Sequence, residues 1–476
     1  MPTIAAIATP PGYGGIGIVR VNGSMTKDLL ARVFLPFSPH FENFRPWLLH
    51  RGRVLDSAGE PLDDALAVFM PGPRTFTGED MAELHCHGGP LIVQAALESL
   101  LALGARQAER GEFSRRAFVN GRMELSQAEA VAEMISAPSR EDLRYSLNRL
   151  DGLLGSRVLD LREALENVRV QLCLAVDFPE DEVECLAPQD FALAVKDAAA
   201  HIRRLLAGTR RAALMRNGAM IPLVGAVNAG KSSLLNALLG RSRAIVTELP
   251  GTTRDFLEEL CNLDGLPVRL TDTAGLRATP ATSADRPAPP ADPVEALGTK
   301  LSYDKLEEAD AVVLVLDGAR LGEEGAKAAT CPDPVARQVL RLAGGKPLLL
   351  AWNKCDICAP SVWPPRWAKD LPCRAVSALT GEHIDDLARD MRALALNSAQ
   401  NAPPPEGLAP NARQAFALEQ ALAELENLAA DIRSGQPYDC CATRLDAAAA
   451  HLGEVTGTSC PAQVLDSIFS QFCIGK

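Results

Sequence analysis

Residues 225–232, GAVNAGKS, and residues 353–356, NKCD, decide the fold class of this chain. The first stretch fits the pattern G-x-x-x-x-G-K-[ST], a loop whose backbone N–H groups bind the phosphates of a nucleotide. In this pattern Lys231 reaches the β- and γ-phosphates, and the Ser232 hydroxyl binds Mg²⁺. The second stretch identifies the base, because the Asp356 carboxylate can accept the adjacent N1–H and N2–H₂ donors of guanine, whereas adenine has no donor at N1. Together they predict a guanine-nucleotide site.

Three further stretches support this prediction, and they occur in the expected order. DTAG at 272–275 supplies the Asp272 carboxylate near the metal. GTTRD at 251–255 supplies Thr253, whose hydroxyl can reach Mg²⁺ only when its loop is closed. The sequence SAL at 377–379 occurs where a GTPase backbone contacts the guanine oxygen. Five elements in this order indicate a P-loop GTPase rather than a chance match.

The periodicity of apolar residues predicts a multidomain α/β protein. Strands alternate with helices over residues 218–395, which favours a mostly parallel sheet in a Ras-like GTPase domain. Leucines recur at helical spacing before and after this block, for example from Leu143 to Leu172. We therefore expect a GTPase domain inserted into a discontinuous helical domain, residues 122–217 and 396–476, after an α+β domain at residues 1–121.

Leu276 follows the DTAG motif, where small GTPases usually carry a Gln that orients the attacking water. Leucine cannot hold a water, so either hydrolysis is very slow or other residues handle the charge and the water. Asn228 in the phosphate loop could offer an oxygen to a monovalent cation, and Glu295 could hold the water through its carboxylate. Residue type alone favours the plainer readings, in which Asn228 caps the loop and Glu295 is a solvated surface acid.

Composition excludes several classes of protein. The 476 residues are 47% hydrophobic but contain no run of eighteen apolar residues, and the N-terminus lacks a basic region, so we expect neither a membrane span nor a signal peptide. The twelve cysteines are scattered, which favours reduced thiols and a cytoplasmic location. The net charge of −12 argues against nucleic-acid binding by bulk charge. Any RNA contact needs a local basic patch or a partner, and the short cluster Arg115, Arg116 and Arg122 is more typical of a solvated face.

His85, Cys86 and His87 are consecutive and suggest a metal cluster. Adjacent residues cannot easily share one ion. We therefore expect these residues to form a turn at the Gly88–Gly89 step.

Beyond the GTPase motifs, the whole chain resembles the tRNA modification GTPase MnmE family, also called TrmE. The C-terminal sequence FCIGK after an inserted GTPase block is typical of that family. Further stretches with the same resemblance are ATPPGYGGIGIVRVNG at 8–23, FTGEDMAELHCHGG at 76–89, GEFSRRAFVNGRMELSQAEA at 111–130, VDFPEDE at 176–182 and HLGEVTG at 451–457.

The resemblance implies a specific activity. Members are cytoplasmic homodimers, joined through the N-terminal domain, that work with the FAD-dependent partner MnmG, which implies a heterotetramer. Together they modify the C5 position of the wobble uridine (U34) of certain tRNAs, and a tetrahydrofolate derivative, 5-formyl- or methylene-tetrahydrofolate, donates the one-carbon unit. Their GTP hydrolysis depends on K⁺ and on dimerisation of the GTPase domains, which would explain the absence of a Gln after DTAG.

The resemblance also assigns site residues. Asn228, Thr247, Thr252 and the backbone of Leu249 match the K⁺ ligands, and Ser232 and Thr253 match the Mg²⁺ ligands. The nucleotide contacts that it implies are Asn228, Ala229, Gly230, Lys231, Ser232, Ser233, Thr247, Glu248, Leu249, Pro250, Gly251, Thr252, Thr253, Asp272, Thr273, Ala274, Gly275, Asn353, Lys354, Asp356, Ser377, Ala378 and Leu379.

The catalytic residues that the resemblance implies are Glu295 and Cys473. The folate contacts that it implies are Arg20, Glu83, Arg122 and Lys476. Arg122 stands where many members have Lys, which keeps the charge but not the geometry. The Ala/Pro-rich stretch 278–293, which precedes Glu295, is longer than usual in the family, and we expect a mobile loop there.

Two other functions compete with a tRNA-modifying GTPase. A ribosome-assembly GTPase would share residues 218–395 but would carry a basic RNA-binding domain in place of the folate-like domain and the Cys tail. A folate enzyme regulated by its GTPase domain would keep folate binding in the rest of the chain.

Overall fold

The structure of the protein is a computed structural model. It describes residues 1–177, 188–241, 258–272, 305–360, 362–397, 404 and 407–476. The described chain forms two compact units. The first unit comprises Met1–Ile135, Asn148–Ala199 and Ala417–Lys476, and the second comprises Ser136–Leu147 and Ala200–Phe416.

The first unit contains a seven-stranded sheet with the order β3-β4-β5-β6-β2-β1-β7. Neighbouring strands are antiparallel except for the pair β1 and β7, which is parallel. Strands β4 and β5 form a hairpin, and its turn is stabilised by the Asp56 carboxylate, which accepts the backbone N–H groups of Ala58 and Glu60 at 2.8 Å. The strands are β1 (Ile4–Ile7), β2 (Gly14–Asn22), β3 (Phe34–Pro36), β4 (His50–Leu55), β5 (Pro61–Met70), β6 (Met81–Gly88) and β7 (Arg106–Gln107).

The two faces of this sheet differ. One face is covered by helices α1 (Thr26–Val33) and α2 (Pro90–Ala102), whose leucines pack on the alternate residues of β2 and β6. On the other face α3 (Glu112–Val119) contributes Phe113 to a small apolar cluster with Ile4 and Met81. Because side chains alternate along a strand, the polar residues between the buried ones point to this second face.

The rest of the first unit is helical. Helices α6 (Leu153–Asp177) and α14 (Tyr438–Thr456) pack against each other. Arg162 of α6 donates a hydrogen bond to Thr458 at 2.8 Å. None of the described helices combines the length and the apolar character that crossing a membrane requires. The remaining helices that lie wholly or partly in this unit are α4 (Leu125–Ser136), α5 (Arg140–Leu150), α6 (Leu153–Asp177), α7 (Pro188–Leu206), α13 (Ala412–Arg433), α14 (Tyr438–Thr456) and α15 (Ala462–Ser470).

The predicted leucine stripe of residues 143–172 is only partly correct. Gly152 adopts φ 80° between α5 and α6, so the stripe is broken into two helices. From Leu154 onward the stripe is buried as expected, but Leu143 and Leu147 are 37% and 42% exposed. Helix α5 instead buries a polar face. Its fully buried residues are Asp142, Tyr145, Ser146 and Arg149.

The second unit contains the predicted, mostly parallel sheet, with the order β13-β12-β11-β8-β10-β9. All neighbours are parallel except β9 and β10. Residues of β8, β11 and β12 are buried on both faces, as expected for a parallel sheet covered by helices on both sides. The strands are β8 (Ala219–Val224), β9 (Glu258–Leu263), β10 (Leu266–Asp272), β11 (Val312–Asp317), β12 (Leu348–Asn353) and β13 (Cys373–Ala375).

Helices cover both faces of this sheet. On one face, α9 (Lys231–Arg241) and α12 (Ile384–Leu396) pack with the strands in one apolar cluster. On the other face, α10 (Gly318–Lys327) and α11 (Pro334–Leu342) pack with the strands in a second apolar cluster. The helices are α8 (Thr209–Asn217), α9 (Lys231–Arg241), α10 (Gly318–Lys327), α11 (Pro334–Leu342) and α12 (Ile384–Leu396), with a 3₁₀ turn at Arg366–Ala368.

The first prediction concerns the stability of the second unit. Leu350 of β12 is fully buried, so Leu350→Ala leaves a cavity, and we expect it to lower the free energy of unfolding by about 2–5 kcal/mol. Urea unfolding followed by tryptophan fluorescence measures this, because Trp352, Trp363 and Trp367 lie in the second unit. Leu342→Ala is the control, since Leu342 is 44% exposed. Equal destabilisation by both variants would contradict the assignment of β12 to the core.

Candidate functional site

The phosphate loop connects β8, which ends at Val224, to α9, which begins at Lys231. The Lys231 ammonium is folded back over the loop, where it donates to the carbonyl oxygens of Gly225 at 3.2 Å and Ala226 at 3.0 Å. Asn228 has φ 64°, in the left-handed region that Asn tolerates better than most residues. The loop therefore wraps around a buried cation, the arrangement expected of a loop that binds phosphates.

Asn353, the last residue of β12, joins this loop to the SAL sequence. Its side chain is 1% exposed, donates to the Ala229 carbonyl at 2.9 Å, and accepts the Ala378 N–H at 3.1 Å. A Cβ atom on Gly230 would lie 2.2 Å from the Asn353 amide nitrogen, so only glycine allows this close approach. Two motifs more than a hundred residues apart in the sequence are thus held together by one buried amide.

Lys354 makes the second link between the motifs. Its ammonium donates to the Asn228 carbonyl at 3.0 Å and to the Asp317 carboxylate at 2.7 Å. The other oxygen of Asp317 caps α10 by accepting the Arg320 N–H at 3.1 Å. Sequence reasoning missed Asp317. This residue ends a buried strand at the sheet edge that carries the other motifs, and ligands of open α/β sheets bind at the carboxyl ends of the strands.

The remaining predicted base contacts lie around this link. Asp356 is exposed beside Cys355, and Leu379 is 86% exposed, whereas Ser377 is fully buried and its hydroxyl accepts the Thr380 N–H at 3.1 Å. Burial, followed by the charge of Glu382, raises the pKa of the Cys355 thiol to about 11. Because Asp356 is exposed, its carboxylate is accessible to the N–H donors of a base.

Several predicted residues lie outside the described part of the chain. The backbone of Asp272 is described as the end of β10, but its side chain is not. Ser232 and Ser233 are described and exposed in the first turn of α9. The residues outside the description, together with the loop 278–293, are Thr247, Glu248, Leu249, Pro250, Gly251, Thr252, Thr253, Thr273, Ala274, Gly275, Leu276 and Glu295.

In the first unit, the predicted folate contacts Arg20, Glu83 and Lys476 lie together. Arg20 of β2 is directly opposite Glu83 of β6, and its Nε lies 2.8 Å from the Glu83 Oε1. The Arg20 Nη1 donates to the Gly475 carbonyl at 2.9 Å, which attaches the C-terminal residues to the sheet. The Phe113 N–H donates to the Lys476 carbonyl at 3.2 Å, so the N-terminal turn of α3 holds the same segment.

The charges at this cluster are shifted by their surroundings. The hydrogen bond from His85, opposed by burial and assisted by Arg20, lowers the pKa of Glu83 to about 2. Burial, followed by the nearby charge of Arg20, lowers the pKa of the Lys476 ammonium. The exposed Cys473 lies three residues earlier, and its carbonyl accepts the Gly111 N–H at 3.4 Å. A carboxylate and two cations thus meet on one face of the sheet, beside the C-terminal segment that carries Cys473.

Arg122, the fourth predicted folate contact, is exposed beyond α3. Its Nε donates to the Thr75 carbonyl at 3.2 Å, and its side-chain carbons pack near Gly78. Within the described residues, no hydrogen bond or ion pair joins Arg122 to Arg20, Glu83 or Lys476. Its assignment to the folate site stays a prediction.

The basic cluster around residue 115 is a solvated face only in part, because Arg115 and Arg122 are exposed. Arg116 is 2% exposed and pairs with Glu79 and Glu112, each at 2.9 Å, while Arg115 pairs with Asp466 at 2.9 Å. The expectation of a solvated face is therefore wrong for Arg116.

The predicted turn at His85, Cys86 and His87 is also wrong. All three lie within β6, which continues to Gly88. Cys86 points into the apolar core, where burial raises the pKa of its thiol to about 12, while the two histidines lie on the opposite face. No group of three metal-ligating side chains is found in the described parts of the chain. Sequence reasoning missed the contact between His85 and Glu83, which the alternation of side chains in this strand could have indicated.

Comparison with known proteins extends these observations to the whole chain. Residues 3–122 match the family model described as GTP-binding protein TrmE N-terminus, and residues 125–473 match the MnmE helical domain. The chain is 51% identical to the tRNA modification GTPase MnmE of Nitratidesulfovibrio vulgaris strain DP4, over 100% of this chain and 99% of that protein. It is 44% identical to the protein of the same name from Lawsonia intracellularis, with the same coverage of both chains.

The second prediction tests the link between the two nucleotide motifs. Lys354→Ala removes the donor shared by the Asn228 carbonyl and the Asp317 carboxylate, so we expect guanine-nucleotide binding to weaken by about 1–3 kcal/mol. Fluorescence titration with a labelled guanine nucleotide measures the affinity. Lys369→Ala, an exposed lysine in the same unit, should bind normally. Unchanged affinity in the Lys354 variant would show that the link is dispensable.

Proposed function

Because the chain belongs to the MnmE (TrmE) family of tRNA modification GTPases, we propose that it hydrolyses GTP and that this hydrolysis serves tRNA modification. The observation that carries the GTPase part is the buried Asn353 amide, which joins the phosphate loop to the SAL sequence beside the exposed Asp356 carboxylate. The tRNA part is supported by the similarity to MnmE over the full length of the chain.

The proposed cofactors of the GTPase site are Mg²⁺ and K⁺. Ser232 and Thr253 would hold Mg²⁺, with the Asp272 carboxylate near the metal. Asn228 would hold K⁺ together with Thr247, Leu249 and Thr252. The Asn228 side chain makes no hydrogen bond within the described residues, which speaks against the alternative role as a loop cap.

Hydrolysis then needs a water-positioning group, because Leu276 cannot supply one. We assign this role to Glu295. The cation at Asn228 would neutralise charge that develops on the phosphates, and dimerisation of the GTPase domains would complete its site.

The proposed reaction of the first unit is transfer of a one-carbon unit to C5 of the wobble uridine (U34). Arg20, Glu83, Arg122 and Lys476 would bind a 5-formyl- or methylene-tetrahydrofolate. The proximity of the Arg20 and Lys476 cations to the ionised Glu83 carboxylate supports folate binding. Folates carry carboxylates that cations can bind and paired N–H donors that a carboxylate can accept. We propose a homodimer acting in the cytoplasm with an MnmG-like FAD partner, in a heterotetramer.

The domains follow the same division. We propose that residues 1–121 bind folate and form the dimer, and that residues 218–395 form the GTPase domain. The helical domain would comprise residues 122–217 and 396–476.

The third prediction concerns the cation. We expect GTP hydrolysis to be much faster in K⁺ than in Na⁺, and this stimulation to be lost in Asn228→Gly. Glycine removes the side-chain oxygen but adopts φ 64° freely, which separates ligand loss from backbone strain. Steady-state GTPase assays at equal ionic strength measure the rates, with the exposed Asn236→Ala on α9 as control. Equal rates of the wild-type protein in both salts would refute the K⁺ site.

The fourth prediction concerns the thiol of Cys473. GTP hydrolysis does not need a thiol, so Cys473→Ser should keep K⁺-stimulated hydrolysis and lose most tRNA modification. Each variant is expressed in cells lacking this protein, and mass spectrometry of tRNA nucleosides measures the modified wobble uridine. Cys440→Ser, at another exposed cysteine of the first unit, should restore modification fully. Normal modification with serine at position 473 would show that the thiol is incidental.

A further inference from the structure

His85 lies on the face of β6 that carries Glu83. The residues directly opposite it are Ile18 on β2 and Leu66 on β5, whose side chains are apolar. Within the described residues, the only hydrogen bond of its imidazole joins Nε2 to the Glu83 Oε2 at 3.1 Å. The imidazole side chain is 24% exposed, so this contact is partly protected from water.

The two oxygens of Glu83 are held by different partners. The Arg20 Nε donates a hydrogen bond to Oε1 at 2.8 Å, and its Nη2 adds an ion-pair contact to the same oxygen. The His85 Nε2 lies 3.1 Å from Oε2, so each oxygen is left with one lone pair that no hydrogen bond occupies. In a bidentate pair, by contrast, an arginine binds both oxygens of a carboxylate through two parallel hydrogen bonds. The imidazole therefore competes for Oε2 and opposes a rotation of the carboxylate that would give both oxygens to Arg20.

The direction of this hydrogen bond follows from the charge. An ionised carboxylate only accepts hydrogen bonds, so the His85 Nε2 must carry the hydrogen. The same chain of contacts continues from Glu83 through Arg20 to the Gly475 carbonyl, one residue before Lys476. The position of the Glu83 carboxylate is thus set from both sides, by a residue of its own strand and by the arginine that holds the C-terminal segment.

We propose that His85 is a positioning residue of the folate site, whose Nε2–H fixes the Glu83 carboxylate so that its remaining lone pairs accept the paired N–H donors of a pterin ring. A pterin carries N3–H and its 2-amino group side by side, and a carboxylate can accept both only in a fixed orientation. The proposal rests on the proposed folate function.

Paired variants of His85 separate a hydrogen-bonding role from a packing role. His85→Gln places an amide nitrogen near the position of Nε2 and keeps the donor, whereas the shorter amide of His85→Asn cannot reach Glu83. Binding of 5-formyl-tetrahydrofolate to the full-length protein, measured by calorimetry, should weaken about tenfold or more with Asn and stay close to wild type with Gln. GTP hydrolysis should be unchanged in both.

His87 offers a matched control on the same strand. Its Nδ1 contacts the Asp63 carboxylate at 2.7 Å, its side chain is 69% exposed, and it makes no contact with Glu83. His87→Asn should therefore bind the folate as the wild type does.

The outcomes separate this proposal from the folate function itself. If the wild-type protein binds no folate, both fail. If the wild type binds and Arg20→Ala weakens binding, but His85→Asn binds normally, the folate site stands and the role of His85 is refuted. Equal losses with Asn and Gln would also refute it, since packing alone would then explain the effect.

A spectroscopic measurement on the wild-type protein does not depend on the folding of a variant. Selective ¹⁵N labelling of the seven histidines reports the tautomer of each ring. We expect the Nε2–H form, or the doubly protonated ring, for His85, and a changed signal in Glu83→Gln. An Nδ1–H tautomer in the wild type would overturn the proposal.

Discussion

The parallel pairing of β8, β11 and β12 is the constraint on which the nucleotide site depends. In parallel strands the carboxyl ends meet at one edge, so the loops that follow them are neighbours although their sequences are far apart. The pairing alone does not make a site. Asn353, the last residue of β12, and Lys354, which follows it, fix this geometry because their side chains bind the backbone of the phosphate loop.

The first unit uses its sheet differently. Its candidate site lies on a face rather than at an edge, because antiparallel neighbours place Arg20 and Glu83 directly opposite each other. The same alternation sends Cys86 into the core and His85 to the site, so two adjacent residues have unrelated roles. Residues near Gly475 complete the site by binding Arg20. The site therefore depends both on the strand register and on a segment that is distant in the sequence.

Much of this architecture could be predicted from the sequence, because short motifs report local backbone geometry and their order reports the sheet. One error arose because apolar periodicity is a poor guide to burial in helix α5. Helix α5 buries Asp142 and Arg149 while Leu143 is exposed, because ion pairs with Arg216 and Glu133 compensate the buried charges. The contact of Arg20 with Gly475 joins residues 455 positions apart, and no pattern in the sequence indicates such a pairing.

The first unit is assembled from three separate segments of the chain, of which residues 417–476 are the last to be synthesised. Helix α6 packs against α14, and Arg20 of β2 donates to the Gly475 carbonyl, so these contacts of the earlier segments cannot form until residues 417–476 have been synthesised. The second unit is made before that point, which gives it the opportunity to fold first. A chain that terminates within residues 417–476 would thus have an intact nucleotide-binding sheet, but its Arg20–Glu83 cluster would lack the C-terminal segment. Such a truncated product would still compete for guanine nucleotides, although its first unit would be incomplete.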